Sequence, residues 1–349
     1  MNNRPGPSIG RALWRVVLIV VGCGLALSPA SGALAAEGKL PAAVVLATHA
    51  AGSGFHADGS VIAKIVSERL KMTMVVRPHP GPPAWLPAMN EGEIEFGVLT
   101  GADAAMTFRG VGGYRKATPA IRLVMVGAPL YLAFWAAADS GIKTVADLKG
   151  KRIPTGWKGI PIVHFSSTAN LATAGLTLND VVGVPVAELN EGIRAFLEGR
   201  TDTMWHSVGS PAAQEANARM RGGIRILPIG TSPEGIKRLA EIYPGTYMTT
   251  LKKGSSVGIL DDVPVASNDI YIVAPASLSE DLVAAVLKTA WDANEELRSV
   301  TPRMKLWTRE RMVSTEASIP FHPGAIRFFR EKGVWPPQME KLQAELGKR

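Results

Sequence analysis

From about residue 42 onward, apolar positions alternate between short β-prone runs and stretches of helical period. Ala42 to Ala47 is a Val- and Leu-rich run, the loop Thr48 to Gly54 follows, and Val61, Ile62, Ile65, Val66 and Leu70 then share one helix face. Met72 to Val76 predicts a second strand, closed by the proline-rich stretch Pro78 to Pro83, with a short helix over Trp85 to Asn90 and a third strand over Ile94 to Leu99. A fourth strand is expected at Ile121 to Val126, and the apolar Leu130 to Ala137 is long enough to cross from one lobe into another. A second unit starts near Ile142: Thr144 caps a short helix that ends at Gly150, and Arg152 to Pro154 opens a strand. Helices over Val163 to Ala174 and Asn190 to Glu198 then alternate with strands at Gly183 to Val186 and Thr203 to His206. After Ile224 to Pro228 and the β-prone Asp269 to Val273, helices are expected at Ser279 to Arg298 and Pro323 to Lys332.

This βαβα order predicts an α/β fold with parallel or mixed sheets covered by helices. The expectation is two lobes, residues 36–141 with 236–349 and residues 142–235, each with its own sheet and a cleft between them. Ligands in such sheets bind outside the carboxyl ends of the strands, so the loops that follow strands are where a site belongs.

The N-terminus changes the chemistry open to the chain. Arg4, Arg11 and Arg15 precede an apolar run from Val16 to Leu27, and small residues end in Ala33-Leu34-Ala35. That order is a secretory signal peptide over residues 1–35, cleaved near Ala35, and it implies a periplasmic protein. Gly22, Gly24 and Pro29 interrupt the run, which falls short of the ~20 apolar residues a retained span needs. Val20-Val21-Gly22-Cys23 also resembles a lipoprotein site, but apolar sequence continues past Cys23. Cys23 is the one cysteine, so cleavage leaves neither a disulfide nor a thiol site. The net charge is +8 with Lys and Arg scattered along the chain, which argues against nucleic acid and fits an anionic small ligand.

Several stretches resemble the TAXI-type solute-binding proteins of tripartite ATP-independent periplasmic (TRAP) transporters. They are Gly52-Ser53-Gly54-Phe55-His56-Ala57-Asp58-Gly59, Glu91-Gly92-Glu93-Ile94-Glu95-Phe96-Gly97-Val98 and Val145-Ala146-Asp147-Leu148-Lys149-Gly150-Lys151, followed by Val208-Gly209-Ser210-Pro211, Pro244-Gly245-Thr246-Tyr247 and Phe321-His322-Pro323-Gly324-Ala325-Ile326-Arg327. Their order over nearly the whole exported chain carries the resemblance. It implies a type II-like two-lobed receptor, a monomer, that closes on a small organic solute, often a carboxylate, and hands it to integral-membrane TRAP permease subunits. Phe55 and His56 stand where that family has tyrosines, so the ligand is not implied. A receptor of the same shape serving an ATP-driven importer or a sensor is the alternative.

Candidate ligand residues follow from the strand ends. Thr48, Ser53, Gly54, Phe55 and His56 lead a helix whose N-terminal N–H groups suit an anion. Thr100 and Gly101 end the third strand, and Tyr131 lies in the crossing stretch with a ring and a polar tip. In the second lobe, Thr155, Trp157 and Lys158 offer a hydroxyl, an aromatic wall and a cation, and Trp205 with His206 ends a later strand. The remaining histidines, including His49, suggest surface or structural roles.

Enzyme readings find less support. Gly52 to Ala57 satisfies GxGxxA, but Arg77 stands where a dinucleotide site needs an acid closing the second strand. His49 and His56 lack zinc-ligand spacing. The expectation is a binding protein without catalysis, cofactor or metal.

Overall fold

The computed structural model describes residues 40–348 apart from Gly52, Arg115, Gly159, Ile160 and Pro302. The expected leader and Cys23 therefore lie outside the described residues. The first lobe runs β1 (Ala43–Thr48), α1 (Gly54–Leu70), β2 (Thr73–Pro78), α2 (Pro82–Asn90), β3 (Phe96–Thr100) and α3 (Gly101–Arg109), and leaves through the long β4 (Ile121–Ala137). The second holds β5 (Arg152–Gly156), α4 (Pro161–Thr173), β6 (Val182–Val186), α5 (Leu189–Leu197), β7 (Thr203–Ser207), α6 (Pro211–Arg219), β8 (Ile224–Ile226), α7 (Pro233–Ile242) and β9 (Tyr247–Leu251). The chain returns through the long β10 (Val263–Pro275) to α8 (Glu280–Asp292), α9 (Asn294–Val300), α10 (Pro323–Glu331) and α11 (Gln338–Leu346).

The expected two-lobed α/β architecture is present, but its strands pair differently from the expectation of one sheet per lobe. β4 and β10 carry a single eight-stranded sheet through both lobes, in the order β2-β1-β3-β10-β4-β7, with β8 also on β4 and β9 also on β10. In the first lobe β1 runs parallel to β2 and β3, and Ile270 to Val273 of β10 pairs antiparallel with β3. In the second, Val263 to Ser267 pairs with β9, and the far half of β4 pairs with β7 and β8. β5 and β6 form a separate parallel pair that meets β7 where the Asp202 N–H donates to the Arg152 carbonyl. Two strands with apolar runs long enough for both lobes make one sheet continuous.

Ala133 to Ala137, the end of the stretch expected to cross between lobes, pairs with β7 and β8 inside the second lobe. The β4–β10 register instead breaks between Asp269 and Tyr271, opposite Pro129 and Val126. A bulge of this kind bends and twists a strand pair locally. The Arg238 Nε donates to the Ala172 carbonyl at 2.7 Å, which ties α7 to α4, and β9 pairs with β10.

At that passage a buried ion pair is built. Asp269, 2% exposed, accepts from the Tyr247 hydroxyl at 2.8 Å and from the Arg311 guanidinium. The Arg311 Nε also donates to the Gly127 carbonyl at 3.0 Å. Burial pushes the Asp269 carboxyl above its ordinary range, and Arg311 pulls it back. Next to it, a Cβ on Gly127 would stand 2.4 Å from the buried Trp307 ring, so β4 has room there only for glycine. Gly245, at φ 78°, fits under the Gly101 carbonyl, which a Cβ would approach to 2.5 Å. The Pro244 to Tyr247 segment thereby ties second-lobe chain to the first lobe.

Cutting Arg311 back to Met leaves Asp269 buried without its cation. The loss expected for breaking such a pair is about 3–5 kcal/mol, measured by denaturant unfolding. Asp269→Leu combined with Arg311→Met is expected to recover much of that loss, because no uncompensated charge remains.

Candidate functional site

A cavity of about 440 Å³ lies between the lobes, within the roughly 300–1,000 Å³ of small-molecule sites. Its first-lobe wall comes from the loops after β1 and β2 and from the start of α3, which are the carboxyl ends of parallel strands. His49, Ala50 and Ser53 follow β1, Pro80 to Ala84 follow β2, and Asp103 stands in the first turn of α3 with Gly113 and Tyr114 beside it. Ile162 and Phe165 of α4 supply the second-lobe wall. The prolines, Phe165 and Ile162 make most of this surface apolar.

Ser53 caps α1, its Oγ accepting from the His56 N–H at 3.1 Å. The first turn of this 17-residue helix carries no acid, so its N–H groups and dipole present partial positive charge to the cavity rim. α4 likewise starts without an acid in its first turn. Arg303 adds a full charge behind α1. It pairs with buried Asp58 at 2.7 Å, lies 5.5 Å from the centre of the Phe55 ring and occupies the space a Gly54 side chain would need.

His49 is one of the lining residues that sequence reasoning passed over. Its ring stacks on Phe55 at 4.1 Å, and its buried Nε2 has no hydrogen-bond partner among the described residues. Burial lowers its pKa, Asp103 opposes that shift and Arg303 adds to it, so a neutral imidazole faces the cavity at neutral pH. Asp103 is 4% exposed. It takes the Thr100 hydroxyl on one oxygen and the Tyr114 hydroxyl on the other, both at 2.8 Å. Burial and the Asp103 charge push the Tyr114 phenol far upward, fixing it as a donor.

Of the residues expected from sequence, Ser53 alone is among those that line this cavity. Phe55 backs the wall through His49. Thr48 and Thr100 are buried, and their hydroxyls serve local partners: Thr48 donates to the His49 carbonyl and stands 3.1 Å from His56 Nδ1, and Thr100 caps α3. Gly101 is closed off by the Tyr271 ring and by Ser318, whose Oγ donates to its carbonyl. Tyr131 is half-buried near the Asp269–Arg311 pair, and Thr155 turns toward Gly183 of β6. Lys158 is exposed on the loop before α4.

Two tryptophans are core rather than cleft. Trp157 has φ 47°, is 1% exposed and packs toward Gly192 and the lobe core. Trp205 is 1% exposed and meets Phe134 edge-on at 4.9 Å. His206 points to the opposite face of β7, beside Trp135, with Nδ1 3.1 Å from Ser207 Oγ. A strand end gives a position, and the alternation of side chains decides which face it serves.

The motifs read from sequence serve the scaffold. Ser210 caps α6 ahead of Pro211, and His322 caps α10 ahead of Pro323. A carboxylate oxygen of Glu95 accepts the Val45 N–H at 2.7 Å, and Thr144 with Asp147 forms a capping box.

Two α/β lobes joined by crossing strands, with a cavity at the strand ends between them, define the periplasmic binding protein fold. The chain belongs to the NMT1-like family, which matches residues 46–333.

Among solved structures, the chain is similar to the periplasmic aliphatic sulphonate binding protein SsuA from Escherichia coli, with 16% identity and a TM-score of 0.46 over 85% of this chain and 90% of that one. It is also similar to Rpa4515 of R. palustris with adipate, at 19% identity and a TM-score of 0.49 over 88% and 98%. XAC2383 from Xanthomonas citri bound to ATP gives 9% identity and 0.48 over 88% and 96%.

Burial lowers the His206 pKa from the ordinary 6.5, opposed by its hydrogen bond with the Ser207 backbone. As pH falls through 6.5 the unfolded chain takes up a proton that the folded one refuses, so this histidine costs stability on the acid side. His206→Asn is expected to make the fall in unfolding free energy between pH 7 and 5.5 shallower, checked by urea titrations across that range.

Proposed function

We propose that this protein is an exported receptor that captures a small organic solute in the interlobe cavity and delivers it to a membrane importer, without turning it over. The observation that carries this reading is the cavity itself, an apolar-walled space at the strand ends closed by residues of both lobes. The N-terminal turns of α1 and α4 favour an anionic group on the solute, such as a carboxylate. The proline wall and Phe165 favour an apolar body. Among the described residues no helix is long and apolar enough to cross a membrane, and the leader read from sequence supports delivery to the periplasm.

Of the two partner classes open to such a receptor, an ATP-driven importer and a TRAP permease, we prefer the first. The TAXI-like motifs, which favour a TRAP permease, turn out to be helix caps and close-packed turns that the scaffold itself demands. In vesicles carrying the importer, uptake is expected to stop without ATP and to survive collapse of the ion gradient. The reverse pattern favours the TRAP partner.

Isothermal titration of the exported protein against a panel of organic acids and amino acids is expected to find a solute bound with one-to-one stoichiometry. Phe165→Ala is expected to weaken it about tenfold or more. If no solute in a broad panel binds, the receptor reading fails.

A further inference from the structure

The cavity carries one feature that an anion receptor does not need. Asp103 places a carboxylate on its wall, 4% exposed, among apolar surfaces. The hydroxyls of Thr100 and Tyr114 that donate to it are neutral and leave acceptor capacity on both oxygens. Capping α3 does not require this arrangement, because the Thr100 hydroxyl already accepts the Asp103 N–H at 2.9 Å. Tyr114, 9% exposed, contributes its hydroxyl to a carboxylate already held by the cap. The effect is a carboxylate fixed in one orientation before anything binds.

Resting on the receptor reading, we propose that Asp103 is the specificity-determining residue of the cavity and accepts from a cationic nitrogen of the solute. The solute class is then an amino acid in the broad sense: an acid group at the N-terminal turn of α1 beside Ser53, an apolar body against the proline wall and Phe165, and an amine at Asp103. A simple carboxylate of the same skeleton leaves the amine position empty and sets its own charge in the same cavity as Asp103. Charge-assisted hydrogen bonds of this kind discriminate strongly in a low-dielectric site.

Matched probes test this by titration calorimetry on the exported protein: aminocaproate against caproate, and para-aminomethylbenzoate against para-toluate, with the broad panel sorted by whether each solute carries an amine. The amine-bearing member of a pair is expected to bind at least about tenfold tighter. Asp103→Asn keeps the size and removes the charge, so it is expected to abolish that advantage while leaving amine-free acids as tight or tighter. Tyr114→Phe keeps the charge and is expected to retain the preference at reduced affinity, which guards against an Asp103 variant that fails to fold. Binders that are predominantly amine-free, or a preference that survives Asp103→Asn, overturn the assignment of Asp103 while leaving the receptor reading intact. Absence of any binder in the whole panel overturns both.

Discussion

The pairing of β4 with β10 governs how the two lobes relate, and the Asp269–Arg311 ion pair sits where that pairing changes register. Two antiparallel strands shared by both lobes form a stiff ladder along their length and a softer joint at the bulge. Burying a charge pair there is costly unless every partner is in place. Tyr247, Arg311 and the Gly127 carbonyl supply those partners, and they come from β9, from the chain after α9 and from β4. The joint is therefore assembled only when both lobes and the C-terminal segment have folded. Closure about this joint belongs to the receptor proposal, in which a ligand that contacts both lobes selects the closed form.

The same geometry sets the character of the cavity. Parallel strands end on its first-lobe side, which brings helix N-termini and their partial positive charge to it, and α4 closes the other side with Phe165 and Ile162. Apolar walls lower the local dielectric, so each polar group that remains has a large effect. Among them are the α1 N-terminus with Ser53, the neutral His49, whose Nε2 has no partner among the described residues, and the carboxylate of Asp103. A solute with both an acid and an amine complements the two charged features, and His49 can donate or accept according to its tautomer.

Much of the scaffold was legible in the sequence because apolar runs of strand length alternate with helical periods. Every strand before β8 was visible in this way, and so was the crossing character of the stretch that becomes the far half of β4. α3, α6, α7 and α11 were not. α3 is an alanine-rich segment with little amphipathic contrast, although Thr100 as cap, Asp103 in the first turn and Gly110 as stop mark it. The site was legible as a place more than as a set of residues. Loops after strands were the right region, but Trp205 faces the core because of strand alternation, and Trp157 turns inward at positive φ. Neither property shows in residue type. Pro80 to Ala84 obeyed the rule for strand ends and read as a turn, while Asp103 could be recognised only once the Tyr114 hydroxyl was seen to reach it.

Amide hydrogen exchange on residues 36–349, with and without the tightest-binding solute of the panel, shows whether the solute enters the cavity between the lobes. Added protection is expected in the loop at residues 49–56, the turn at residues 80–84 and the first turns of α3 and α4, together with the β4–β10 passage around Gly127 and Asp269. Protection confined to another surface, such as the groove lined by Trp291, Val313 and Val334, or no added protection under saturation, would contradict it.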